Sequence, residues 1–148
     1  GVTNLTMEYL LSRIEGNAGR IEALERQSER NSSSIKDIQE EYPLLPTEAD
    51  DLSRAAQRKG CEVMGGKRSP AYRDTDLRKR IYRDIYTEIK REFGMIDSNG
   101  HQQSYKKLKR KHLKEAFDVV FDYTPPSALE IEINMPNEDE FVFEMEDR

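Results

Sequence analysis

Residues 7–42 repeat on a seven-residue period, and that period constrains the first third of the chain to one long helix with a sticky seam. With Met7 at position a, the a and d positions read Met7, Leu10, Ile14, Asn17, Ile21, Leu24, Ser28, Asn31, Ile35, Ile38 and Tyr42. Apolar side chains recurring about every 3.5 residues keep one side of a helix against a partner helix, the physical demand of a coiled coil. Ile at a with Leu at d favours two parallel strands. Asn17 weakens the seam, yet a buried Asn hydrogen-bonds its symmetry mate and fixes register. Arg20 at g and Glu25 at the following e attract each other between chains. Gly16 and Gly19 each cost an isolated helix about 1 kcal/mol, so support from outside the helix is expected. Leu10, Ile14, Asn17, Ile21, Leu24, Ile35 and Ile38 are therefore the candidate oligomerisation contacts, in a parallel dimer or alternatively a tetramer. The competing reading packs this helix back on its own domain. Pro43 stops the repeat, because proline cannot continue a helix.

The remaining length allows one small domain, residues 44–134, and an acidic tail, residues 135–148. Hydrophobic residues make up 35% of the chain and charged ones 36%, with no Trp, so the core must be modest and the fold well solvated. No run approaches the roughly 18 apolar residues of a membrane span, and no signal peptide is read at the start. Cys61 is the single cysteine, which leaves no internal disulfide and fits the reducing cytoplasm of a host cell. Gly1, standing where a Met would, leaves room for a preceding N-terminal domain. Net charge is −5, but the charge is segregated. Residues 59–115 carry 16 Lys/Arg against 8 Asp/Glu, and residues 116–148 carry 1 against 10. The middle of the chain is built to meet negative charge.

Local signals place the helices. Thr47 reads as an N-cap, with Glu48, Asp50 and Asp51 in a first turn whose dipole favours acids. Gly65-Gly66 ends that helix. Ser69-Pro70 reads as an N-cap and N1 pair opening the main helix, in which Leu77, Ile81, Ile85 and Ile89 recur at i+4 and Tyr82, Tyr86 and Phe93 widen the stripe. Gly94 closes it, and Asp97-Ser98-Asn99-Gly100 has turn composition. A short helix around Ser104–Lys109 and a longer one around His112–Tyr123 follow, ended by Pro125-Pro126. The end of the chain has two readings. One is a hairpin about Pro136-Asn137, pairing Leu129, Ile131 and Ile133 with Phe141, Phe143 and Met145. The other is a short helix followed by a disordered acidic tail.

Three stretches, "GGKRSPAY", "RKRIYRDIYTEIKREFGM" and "SYKKLKRKHLKEAFDVVFDYTPPSALEIEI", resemble the C-terminal domain of phage antirepressors, the open-reading-frame-six C-terminal family. The ordered motifs are Gly65–Tyr72, Ile81–Gly94, Ser104–Leu108, Ala116–Phe117 and Pro125–Leu129. Two features depart from the pattern: an insertion at Ile96–Gln103, and Tyr123-Thr124 where an aromatic residue often precedes Pro-Pro. The resemblance implies a regulator encoded by a phage or prophage and implies no catalytic residue.

The densest basic run is Lys106, Lys107, Lys109, Arg110, Lys111, His112 and Lys114, set across an expected helix–turn–helix-like junction. Clustered Lys and Arg bind phosphates by releasing counterions, and Tyr105 beside them can stack or donate to a phosphate. Arg78, Lys79 and Arg83, with Lys90 and Arg91, form a second set outside the Ile stripe. The competing reading of both sets is solvated surface, neutralised in cis by the acidic C-terminal third. Tyr72, Tyr82 and Tyr86 lack the Arg/His constellation of a tyrosine nucleophile and read as packing aromatics. Glu138-Asp139-Glu140 lacks metal-ligand spacing. The expected protein is thus all-α, a coiled coil followed by a small helical domain, with no enzyme activity, metal or cofactor. Its expected role is an oligomeric phage regulator of transcription that contacts DNA. The alternative is a protein-interaction module that captures a repressor or host protein without touching DNA, and a third option makes the coil a scaffold for an absent DNA-binding domain.

Overall fold

The computed structural model describes residues 2–146, and side chains for residue 4 and residues 6–140. The chain is all-α: among the described residues only helices, turns and two isolated backbone bridges form. It divides into two compact units, one ending at Glu41 and the other beginning at Tyr42.

The first unit is α1 (Val2–Glu41), a single 40-residue helix. At about 1.5 Å per residue it is roughly 60 Å long. Its heptad positions lie open: Leu10, Ile14, Ile21, Leu24, Ile35 and Ile38 are each about half exposed. A Cβ built on Gly16 or Gly19 would meet nothing within 4 Å. A helix carrying two glycines and a bare apolar seam gains little stability from within itself.

The second unit wraps four helices around α4 (Thr75–Glu92), whose Leu77, Ile81, Ile85 and Ile89 are all buried. Spacing of four residues puts these side chains on one face. Against that face pack Leu52 and Ala56 of α2 (Pro46–Val63), together with Ala116 and Val120 of α5 (Leu113–Asp122). Leu113 and Phe117 flank the same core, partly buried. Two single 3₁₀ turns, Tyr105–Lys107 and Arg110–His112, lead into α5.

Three boundaries differ from the sequence expectation. The cap of α2 is Leu45, with Pro46 at N1, and Thr47 lies inside the helix. Leu has no capping oxygen, so Glu48 reaches back to accept from the Leu45 amide at 2.9 Å. Ser69 does cap a helix, accepting from the Tyr72 amide, but that helix is only the single turn α3 (Pro70–Arg73). Asp74 is extended and caps α4 separately, accepting from the Leu77 amide at 3.2 Å. The chain end is α6 (Ser127–Glu146), so neither the hairpin nor an early tail forms over this span, although Pro136 lies within the helix. The side chains of Phe141, Phe143 and Met145 and the last two tail residues, Asp147 and Arg148, lie outside the described residues.

Asn137 explains how α6 is held. Its Oδ1 accepts from the Ala71 amide at 3.0 Å, and its Nδ2 donates to the Met64 carbonyl at 3.0 Å. One amide side chain thus satisfies the end of α2 and the start of α3 together, across the turn at Gly65 and Gly66. Both glycines have φ of 97°, and a Cβ on Gly65 would sit 3.1 Å from Asn137 Nδ2. Arg73 pairs with Glu140, and Arg80 with Glu132.

The other long-range clamp joins the start of the domain to the 3₁₀ segment before α5. Leu44 donates its amide to the Leu108 carbonyl, and Arg110 donates its own to the Tyr42 carbonyl, both at 2.9 Å. The Arg110 Nε then donates to Glu48 at 2.9 Å. Burial pushes the Glu48 carboxyl up, but the Leu45 amide and the Arg110 guanidinium outweigh it and hold the group below its ordinary range. A carboxyl lowered on folding adds stability above its unfolded pKa, and that stability disappears as pH falls through the folded value. Urea titrations of Glu48→Gln and the unaltered chain should therefore differ at pH 7, and the gap should narrow as pH falls below the ordinary carboxylate range. A gap that stays constant on acidification would show that charge plays no part in the clamp.

Candidate nucleic-acid interface

The face of α4 opposite its core carries two chemistries on separate flanks. At 100° per residue, Lys79, Tyr82, Arg83, Tyr86 and Lys90 share one flank, while Asp84 and Glu88 share another. The structure bears the split out. Lys79, Arg83 and Lys90 line a shallow cleft of about 390 Å³ with Tyr82, Tyr86 and Tyr105, and Ser104 completes its wall. No carboxylate lines it.

The tyrosines are ordered by specific contacts. The rings of Tyr86 and Tyr105 stack with centroids 4.7 Å apart and planes 24° apart. The Tyr86 hydroxyl shares a 3.0 Å hydrogen bond with Ser53 Oγ. Burial, with the nearby Tyr72, pushes Tyr82 up to about 12, and burial raises Tyr86 despite the Ser53 hydrogen bond. Both rings are therefore neutral near pH 7. Lys90 donates to Gln102 Oε1 at 3.2 Å, a neutral partner that positions the ammonium without cancelling its charge. The Ile96–Gln103 insertion thus returns to the cleft, with Ile96 and Gln102 pairing as an isolated bridge.

The remaining candidates fall in different places. Arg78 donates to the Tyr72 carbonyl at 3.1 Å and lies 4.8 Å from the centroid of that ring. Arg110 is taken up by Glu48. Lys107 and Lys109 line a smaller depression beside Phe93 and His112, whose rings stack 4.8 Å apart. Lys106, Lys111 and Lys114 are exposed. Arg91, grouped with this face by composition, pairs with Glu88. The sequence thus indicated a basic face, while the structure divides it into a tyrosine cleft, a 3₁₀ segment and two internal struts. The visible signal for the cleft was the spacing Lys79-Tyr82-Arg83-Tyr86-Lys90; the contribution of Tyr105, across the insertion, was not readable from spacing.

The acidic flank forms its own groove of about 500 Å³, where Glu88 and Glu92 of α4 face Glu115, Asp118 and Asp122 of α5. The hydroxyl of Tyr123 donates to Asp84 at 2.7 Å, and burial with that bond raises its pKa strongly. The described ion pairs between α6 and the basic third are those of Arg73 and Arg80, neither of which lines the tyrosine cleft. Among the described residues no group of three or more His, Cys, Asp or Glu is placed to hold a metal ion. No helix among them is long and apolar enough to cross a membrane.

Compared with known protein families, residues 14–133 match the model of the ORF6C domain. The match takes in most of α1 as well as the domain that follows, and so begins well before the motifs that suggested the resemblance. No curated protein and no solved structure matches the chain.

Proposed function

The chain belongs to the ORF6C domain family, a phage-associated family of regulatory type, and from that premise we propose that it is a phage or prophage transcriptional regulator of antirepressor type. In this reading α1 assembles the protein, and the basic surface of the second unit contacts nucleic acid in the cytoplasm of the bacterial host. The observation that carries it is the segregation of charge on α4, with Lys79, Arg83 and Lys90 on one flank and the acids on the other. Cations gathered without interleaved carboxylates keep the local field that attracts a polyanion. We assign no catalytic residue.

A gel-shift titration on generic duplex DNA tests this. The slope of log affinity against log salt should flatten by up to about 2.7 when Lys106, Lys107 and Lys114 are all changed to Ala, at about 0.9 for each phosphate no longer neutralised. These side chains are exposed, so melting should not move. Absence of any shift at about 50 mM salt would exclude duplex DNA as the partner. The acidic groove supports a second reading, a protein-interaction module that docks a basic segment of a repressor or host factor there.

A further inference from the structure

Resting on the nucleic-acid reading, we infer that the tyrosine cleft takes an unpaired nucleotide strand, with a base stacked on the open face of Tyr105, which Tyr86 backs, and its phosphates met by Lys79, Arg83 and Lys90. Tyr82, Tyr86 and Tyr105 pack partly buried against the edge of the core, and the surface each leaves open lines the cleft. Aromatic faces bordered by cations are the arrangement by which proteins hold single strands: rings stack on bases while Lys and Arg track the backbone. Duplex DNA cannot use such a cleft, because its bases already stack on one another inside the helix. The wall residue Ser104 adds a hydroxyl that can donate to a phosphate or a sugar. Charge complementarity selects the occupant, since three cations line the cleft and no acid does. DNA and RNA share this chemistry, and the sugar distinguishes them.

The test is fluorescence anisotropy of labelled oligo(dT) and oligo(U), each about 12 nucleotides long, with the whole chain at about 50 mM salt. We expect binding that Tyr105→Ala weakens by about 5- to 100-fold, the effect of removing the ring beneath one stacked base. Tyr105→Phe keeps the ring and should keep the affinity. Lys79→Ala with Arg83→Ala should flatten the salt slope by up to about 1.4, at about 0.7 for each phosphate of a single strand. Tighter binding of oligo(dT) or of oligo(U) identifies DNA or RNA as the natural strand. Duplex binding should be indifferent to Tyr105→Ala. Duplex binding without strand binding, or strand binding unmoved by Tyr105→Ala, would overturn the cleft assignment and leave the basic-face reading standing. If neither nucleic acid binds, both fall. Should Tyr105→Ala fail to melt cooperatively, the salt slope of the Lys79/Arg83 variant decides, and an unchanged slope rejects the cleft.

Discussion

Ile85→Ala should cost the second unit about 2–5 kcal/mol, the usual range for emptying a buried Ile site. Ile85 is fully buried midway along the α4 stripe, between Ile81 and Ile89. The helices packed on both sides, α2 and α5, are anchored elsewhere and can collapse only partly into the space left. A small domain holds roughly 5–15 kcal/mol in all, so this single change removes a large share. At about 4–8 °C per kcal/mol, the melting temperature should fall by at least about 8 °C. The chain has no Trp and six of its seven tyrosines lie in the second unit, so urea unfolding followed by tyrosine emission reports mainly on the domain. A loss under about 1 kcal/mol would mean that the stripe is not the centre of the core.

Removal of α1 should cut the molecular mass measured by light scattering to about a third, since the dimer becomes a monomer and each chain also loses 41 of its 148 residues. The proposal of a parallel dimer follows from the seam: its Ile and Leu side chains are about half exposed in a single copy, with Asn17 among them to set register. In that proposed dimer a second copy would cover the seam and match Arg20 with Glu25. The shortened chain should begin at Tyr42, because Leu44 is buried in the second unit and Tyr42 accepts the Arg110 amide there. A tetramer that falls to a monomer would keep the seam and change the count. The same number of chains per particle with and without α1 would move assembly to another surface.

Those two predictions use the parts of the fold that were readable from sequence, and for a common reason. Heptads and an i+4 Ile stripe are both local helical periodicities, and they were legible as the helices α1 and α4. The misplaced boundaries depended on distant partners. Residues 70–80 read as one continuous helix, and the break at Asp74 comes with Asn137 holding the Ala71 amide, 66 residues away in sequence. Thr47 was the better cap on propensity, yet Glu48 can serve Leu45 because Arg110 steadies its carboxylate from the far side. The basic run followed the same rule. Its composition pointed to phosphate, but composition could not show that Arg110 is a strut or that Tyr105 crosses the insertion to stack on Tyr86.

The clamp between Tyr42–Leu44 and Leu108–Arg110 also orders events during synthesis. α1 is complete at Glu41, whereas the domain cannot close until Arg110 has been added, roughly 70 residues later. At about 5–20 residues per second, ribosomes need some 4–14 s for that stretch. Throughout this interval the finished helix meets its surroundings as a bare seam, alongside an unclosed remainder. Neighbouring ribosomes on one message hold many such helices close together, so in the proposed dimer pairing between nascent chains would come first and closure of each domain second. Such a dimer would be drawn from copies of a single transcript.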